Sequence, residues 1–403
     1  MSNRRILAAG LAALVAVTLA VGVMPAGAQT DPVQSTKVVK VGVIAPLDAG
    51  LTSFGLGIRN SVQLAVDQAN ARNTIPGWTV ELFAVNDSSE PEVGAAAAPQ
   101  LVDDPAVVGV VGPYNSGVTQ AVLPVLSPAG LTLMSPSNTL TDLTLGPDPT
   151  NPSRPFDNYF RLVASDAQQA EFLASSAKAV GAEKVAVVSE TKAVSKGLAD
   201  QFATAFENDG GTVTVQQVVP DGNTDFTDFL DAALPDKPDL IFFGGEYLVA
   251  ADLRTQATDA GFKGPLMGGD GIKDDDYIVE AGTASKGTLA STVGSPLDSL
   301  RSAKKFLKAY DKAGFDDPPT DYGPYAYDAA NVIIAAAKQA LTGEDTIPAD
   351  ARAQVLASVQ DAETKGASGA VSFDEFGDTT HRVFTLYRVQ GKADALAWVP
   401  FKP

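Results

Sequence analysis

From Val38 onward, short apolar runs alternate with stretches in which apolar residues recur every three or four positions. "VVKVGVIAPL" reads as a buried strand, and residues 58–71 read as an amphipathic helix. "TVELFAV", a helix over 94–102, "AVVGVVGP", a helix over 118–126 and "LTLMSP" continue the alternation. Strand and helix in strict succession predict a parallel sheet with helices on both faces. The pattern breaks at the Pro-rich "GPDPTNPSRPFDNYFR" and then restarts. "KVAVVSE", a helix over 198–207, "GTVTVQQVV", a helix from Asp225, "DLIFFGG", a helix over 250–260 and "PLMGGDG" form a second set. "GTLASTVG", helices over 303–312 and 325–341, and "GAVSFDEFGDTTHRVFTLYRV" follow, the last reading as a hairpin-like pair of strands. The expectation is an α/β protein of two doubly wound parallel-sheet lobes. Open parallel sheets bind ligands outside the carboxyl ends of their strands, so the site is sought in a cleft between the lobes.

The residues ahead of this pattern read differently. Arg4 and Arg5 precede the apolar run Ile6–Val23, and Ala26 and Ala28 supply a small-residue cleavage site. This is the layout of a secretory signal peptide over 1–28, followed by a flexible leader over 29–37. The run is also close to the length of a spanning helix, so an uncleaved anchor is the alternative. The mature protein is then expected in a periplasm-like space or the medium. With no cysteine in the chain, it has no disulfide, no lipid-carrying N-terminal Cys and no thiol nucleophile. The net charge of −19 disfavours nucleic acid and anionic lipid surfaces as partners.

Several chemistries lack their residues. His381 is the single histidine and follows "DTT" as a surface residue at a turn, so a Ser-His-Asp triad or a His-based zinc site has little to draw on. "FGLGIRN" has Asn60 where a dinucleotide fingerprint needs its last glycine, and "KDDDY" lacks the spacing of a calcium loop. No cofactor, no metal and no catalytic activity are expected.

The strand ends carry another chemistry. Ser116 stands just before a helix, and Ser135, Ser137 and Thr139 follow "LTLM". Free N–H groups at a helix start together with hydroxyls form a site for a carboxylate or phosphate, although simple N-capping accounts for any one of them. In the second lobe the equivalent strand end is "MGGDG", and Asp270 would face those donors across the cleft. A zwitterion needs that pairing: donors for its carboxylate and an acidic acceptor for its ammonium. Phe54, Tyr247, Tyr325 and Tyr327 lie near the same strand ends as candidate pocket walls.

The chain resembles the substrate-binding proteins of branched-chain amino acid ABC transporters, the leucine/isoleucine/valine-binding type. The likeness runs from "VKVGVIAPLDAGLTSFG" through "LMSPSNT" and "PLMGGDGI" to "YGPYAYDAANVIIAAAK". It implies a type I periplasmic binding protein fold: residues 38–158 with 294–371 as one lobe, 159–293 with 372–403 as the other, joined by three crossover segments. It implies that Ser116, Ser137 and Thr139, with Asn138 among them, hold an amino acid's carboxylate and assist its ammonium. Asp270 would be the counter-ion, Phe54 an aromatic contact and Tyr325 part of the far wall. Val194 stands where members often carry Tyr, and Glu246, before Tyr247, where many have Tyr or Gln. Glu246 would either accept a polar or cationic side chain or point into solvent. The implied function is capture of a small aliphatic L-amino acid by hinge closure, in a monomer that docks a membrane permease. A binding protein or sensor subunit for another amino acid, amide or small carboxylate is the alternative.

Overall fold

A computed structural model describes residues 37–49, 51–148, 151–293 and 300–403. The expected signal peptide and all of the expected leader but its last residue lie outside them; Lys37 already opens the first strand. The first lobe begins with β1 (Lys37–Ala45), α1 (Thr52–Ala71), β2 (Trp78–Asn86), α2 (Pro91–Asp103) and β3 (Val107–Val111). It continues through α3 (Ser116–Leu126), β4 (Thr132–Ser135), a single turn α4 (Asp142–Leu145) and β5 (Tyr159–Arg161). The second lobe holds α5 (Asp166–Ala179), β6 (Lys184–Glu190), α6 (Ala193–Asn208), β7 (Thr212–Val219) and α7 (Thr227–Ala233). There follow β8 (Leu240–Gly244), α8 (Tyr247–Asp259), β9 (Leu266–Gly268), α9 (Asp275–Ala281) and β10 (Leu289–Val293). The chain then returns to the first lobe with α10 (Arg301–Ala313), α11 (Gly323–Leu341), α12 (Ala351–Gln360) and the short pair β11 (Thr364–Lys365) and β12 (Ala370–Val371). It ends on the second lobe with β13 (Phe384–Gln390) and β14 (Ala397–Pro400).

Among the described residues, the first sheet has the order β2-β1-β3-β4-β5, all parallel. The second has the order β14-β13-β10-β9-β8-β6-β7, parallel except for β13 and β14. Every residue of β3 and β8 is buried, as strands covered on both faces require, whereas the edge strands β2 and β7 are partly exposed. Helices α1, α11 and α12 cover one face of the first sheet and α2 and α3 the other. No helix among the described residues is long and apolar enough to cross a membrane.

Three readings of the sequence need correction. Tyr159–Arg161 pairs with β4, so the first crossing follows Arg161 and not Asn158. The closing hairpin is β13 with β14, while the stretch before β13 makes only one isolated bridge, Phe373 to Thr379. Helix α5 went unread because its polar face outnumbers its apolar one, although Ser165 and Gln168 form a capping box at its start. The "FGLG" glycines serve packing: a Cβ on Gly55 would lie 1.8 Å from the Pro46 carbonyl oxygen.

The first and third crossings are tied together by a buried ion pair. Arg161, fully buried, donates from Nε to Asp378 Oδ1 at 2.5 Å, from Nη1 to the Leu140 carbonyl at 2.8 Å and from Nη2 to Thr144 Oγ1 at 2.5 Å. Its backbone N–H donates to the Gly377 carbonyl at 3.0 Å. Removing one partner of such a pair strands the other charge without water, which costs about 3–5 kcal/mol. Urea unfolding of Asp378→Ala is therefore expected to show a loss of that order. Asp378→Asn, which keeps the shape and one acceptor, should lose less. A midpoint unchanged in both variants would contradict this role.

Candidate functional site

The carboxyl edges of the two sheets meet around a cavity of about 50 Å³. From the first lobe it is lined by Tyr114, Asn115, Ser116, Ser137, Thr139 and Tyr322. From the second lobe and the first crossing come Asp166, Val194, Ser195, Leu198, Gly245, Glu246, Asp270 and Gly271. The helices α3, α5, α6 and α8 all begin here, so each contributes first-turn N–H groups that have no intrahelical acceptor.

The first-lobe wall is built from two strand-end loops clipped together. Ser135 Oγ, at the end of β4, accepts from the N–H groups of Ser137 at 3.2 Å and Asn138 at 3.0 Å, and donates to the Pro113 carbonyl at 3.0 Å. The Asn138 amide donates to the carbonyls of Pro113 at 3.2 Å and Tyr114 at 2.7 Å. Its Oδ1 accepts from Thr119 Oγ1 at 2.6 Å and the Tyr159 hydroxyl at 3.1 Å. Asn138 is thus a buried brace behind the wall. Ser137 Oγ donates to the Tyr114 carbonyl at 2.9 Å, and Ser116 opens α3 with Asn115 at its N-cap.

Asp270 opens a 3₁₀ turn after β9. Its Oδ2 accepts from the Tyr322 hydroxyl at 2.6 Å, across the cleft, and its Oδ1 from Gln169 Nε2 at 2.8 Å. Burial pushes its carboxyl above the usual carboxylate value, and these two donors pull it back only in part. The adjacent glycines let the backbone pack closely: a Cβ on Gly268 would lie 2.9 Å from the Phe243 carbonyl oxygen, and one on Gly271 2.9 Å from that of Gly245.

A second carboxylate, which the sequence reading missed, faces the same space. Asp166 is the first residue of α5 and fully buried, and among the described residues neither of its oxygens has a partner at hydrogen-bonding geometry, the Thr139 hydroxyl lying nearby. Burial pushes its pKa up to about 7; the nearby Thr139 hydroxyl and Arg161 oppose the rise, and the charges of Asp270 and Asp142 add to it.

Glu246 lines the cavity at the N-cap of α8, with its charge already engaged. Oε2 pairs with Lys192 Nζ at 2.7 Å, and Oε1 accepts from Asn115 Nδ2 at 2.7 Å, a bond from one lobe to the other. Burial alone would lower the Lys192 pKa, yet Glu246 and Glu190 hold it up at about 12.

The aromatic candidates fall behind the wall. Phe54 is 1% exposed, stacked on Tyr114 at 4.6 Å and edge-on to Tyr322 at 5.4 Å and Tyr247 at 5.7 Å. It meets the cavity only through Tyr114 and Tyr322, and Tyr247 packs against it from the other lobe. The Tyr325 hydroxyl donates to the Val293 carbonyl at 2.8 Å, tying α11 to the end of β10. Tyr327 bonds Gln68 on the outer face of the first lobe. In place of these, Tyr114 and Tyr322 present their rings to the cavity, and Val194 and Leu198 supply its aliphatic wall.

Residues 38–394 match the family model described as periplasmic binding protein. The Leu/Ile/Val-binding protein BraC3 of Rhizobium johnstonii is 31% identical over 351 residues, 87% of this chain and 91% of that one. The leucine-binding protein LivK of Thermotoga maritima superposes with a TM-score of 0.78 at 26% identity, covering 91% of this chain and 99% of the other. The branched-chain amino acid transporter substrate-binding protein LivJ of Streptococcus pneumoniae, solved in complex with isoleucine, gives 0.76 at 26% identity, covering 91% and 100%. With its two parallel-sheet lobes closing on one polar cavity, the chain belongs to the periplasmic binding protein family.

Proposed function

We propose that the protein is the extracytoplasmic solute-binding component of an ABC importer and captures one small L-α-amino acid between its lobes. The observation that carries this reading is the placement of opposite chemistries across one cavity. The α3 N-terminus with Ser116, Ser137 and Thr139 forms the anion side, and Asp270 with Asp166 the cation side. The α-carboxylate sits on the α3 amides and hydroxyls. The ammonium sits between Asp270 and Asp166, where the free oxygens of Asp166 accept it without displacing an existing bond. Charge-assisted bonds of this kind contribute roughly 1.5–3 kcal/mol each.

Closure follows from the same contacts. Ligand held by Ser116 and Thr139 on one lobe and by Asp270 on the other favours the closed arrangement, since only there are both sets engaged. Moving a population from 1:99 to 99:1 takes roughly 5.5 kcal/mol of differential affinity, which a few such bonds supply. The closed lobes then dock a permease.

The relatives named for leucine, isoleucine and valine support a branched-chain ligand. The composition of the wall favours a second reading, a small amino acid with a polar side chain. Val194 and Leu198 are its two aliphatic side chains, against Asn115, Ser195 and Glu246. A thermal-shift screen of the purified protein against the common amino acids separates the two. Stabilisation by Leu, Ile and Val favours the first, by Ser, Thr, Asn or Gln the second, and by none of the amino acids neither. Asp270→Asn is expected to weaken the ligand identified by at least about tenfold in calorimetry. Full affinity in that variant would remove Asp270 from its assigned role.

Asp166 gives a pH signature. Its folded-state pKa of about 7 lies above the ordinary 3.8, so the stability linked to its protonated form is present below about pH 4 and is lost as pH rises through about 7. Without ligand, Asp166→Asn should therefore be more stable to unfolding than wild type above about pH 8, by on the order of a few kcal/mol, and equally stable below about pH 4. Wild-type affinity for the amino acid should rise as pH passes through about 7, when Asp166 ionises, and Asp166→Asn should lack that rise. A pH-independent difference in melting would exclude this assignment.

A further inference from the structure

At the far end of the second lobe from the cleft, where β6, β8, β9 and β10 begin, lies another cavity, of about 710 Å³. Four cations line it: Arg254, Lys263, Lys286 and Arg388. Among the described residues none of them is in an ion pair. In a chain with 48 acidic and 29 basic residues, four cations around one hollow lined by a single acidic side chain make a local excess of positive charge.

Arg254 is the most telling of the four. It lies on α8 at 7% exposure, where a charge without a counter-ion is costly. Its Nε donates to the Ala284 carbonyl at 2.6 Å and its Nη1 to the Gly264 carbonyl at 2.9 Å. These two bonds fix the guanidinium plane and leave Nη2 without a protein acceptor among the described residues. Arg388 is held over the Phe401 ring at 5.2 Å, and Lys263 and Lys286 stand exposed at the rim. The one acidic side chain lining the hollow, Asp239, accepts from the backbone N–H groups of Glu183 and Lys184 at 2.9 Å each.

A preorganised guanidinium ringed by mobile ammonium groups is suited to an oxyanion with several acceptor oxygens. We propose that this cavity is a second binding site, for a phosphate group, separate from the amino-acid cleft. The group arrives either on a soluble molecule or as a lipid headgroup. The acidic body repels anions elsewhere, so any uptake is local to these cations.

The test uses the purified protein at low ionic strength, where such contacts are least screened. Inorganic phosphate is titrated calorimetrically, and flotation is measured with vesicles of phosphatidylglycerol and of phosphatidylcholine. The variant is Lys263→Gln with Lys286→Gln, both exposed, so its fold does not depend on the buried Arg254. Phosphate binding that weakens by about tenfold or more in the variant supports a soluble ligand. Flotation with phosphatidylglycerol alone, lost in the variant, supports a lipid headgroup. Absence of both, or binding equal in wild type and variant, overturns the proposal.

Discussion

A parallel strand that hands over to a helix turns at its carboxyl end, so the unpaired N–H groups of each helix start gather along the same edge of the sheet. Two such sheets facing edge to edge bring α3, α5, α6 and α8 to one small volume. Everything polar in the cavity answers to that concentration of partial positive charge. The hydroxyls of Ser116, Ser137 and Thr139 extend it on one side. The carboxylates of Asp166, Glu246 and Asp270 oppose it on the other, each at the start of a helical turn where an anion is favoured.

The crossings decide how this edge-to-edge meeting can change. Arg161 binds the first crossing to the third through Asp378 and Gly377, and Tyr325 fastens α11 to the end of β10 near the second. The Arg161–Asp378 bond is buried and charge-assisted and the others are neutral bonds to carbonyls; together they tie the crossings to one another and to the ends of the sheets. The contacts between the lobes at the cavity are of a different kind: Asn115 to Glu246, Tyr322 to Asp270, and the edge-on ring contact of Phe54 with Tyr247. The two hydrogen bonds end on carboxylates and are joined by the Lys273–Asp321 ion pair at 2.8 Å, so the mouth is held by several separate charge-assisted contacts and not by a continuous core.

What was legible in the sequence follows from this division. The strands announced themselves because burial on both faces demands unbroken apolar runs such as "VVGVV" and "LIFFG". Asp270, Ser116, Ser137 and Thr139 were legible because they occupy strand ends, which sequence locates well. Glu246 and Val194 were found through family likeness, and both line the cavity. The aromatic positions were not legible. Phe54 and Tyr325 are close in sequence to residues that line the cavity, yet the lining is done by Tyr114 and Tyr322, and only the direction of each side chain distinguishes them. Asp166 was missed because the break in pattern before it read as connection, although "SDAQ" carries the capping signal of a helix start.

The charges of the cavity close on one ligand class when they are counted as the structure pairs them. Glu246 is neutralised by Lys192 and fixed by Asn115, so it presents a dipole to the ligand side chain and not a free charge. Asp270 is ringed by donors from Tyr322 and Gln169, while Asp166 has none and is raised by burial and by Asp270 itself. Burial raises both carboxyls above the usual carboxylate value, Asp166 to about 7. In the proposed complex the ammonium meets these two carboxylates while Glu246 keeps Lys192 as its partner, so an uncharged ligand side chain is the one expected. Under the proposed function one methylene discriminates by only about 1–3 kcal/mol, so the few aliphatic contacts from Val194 and Leu198 would set a shallow preference among such ligands.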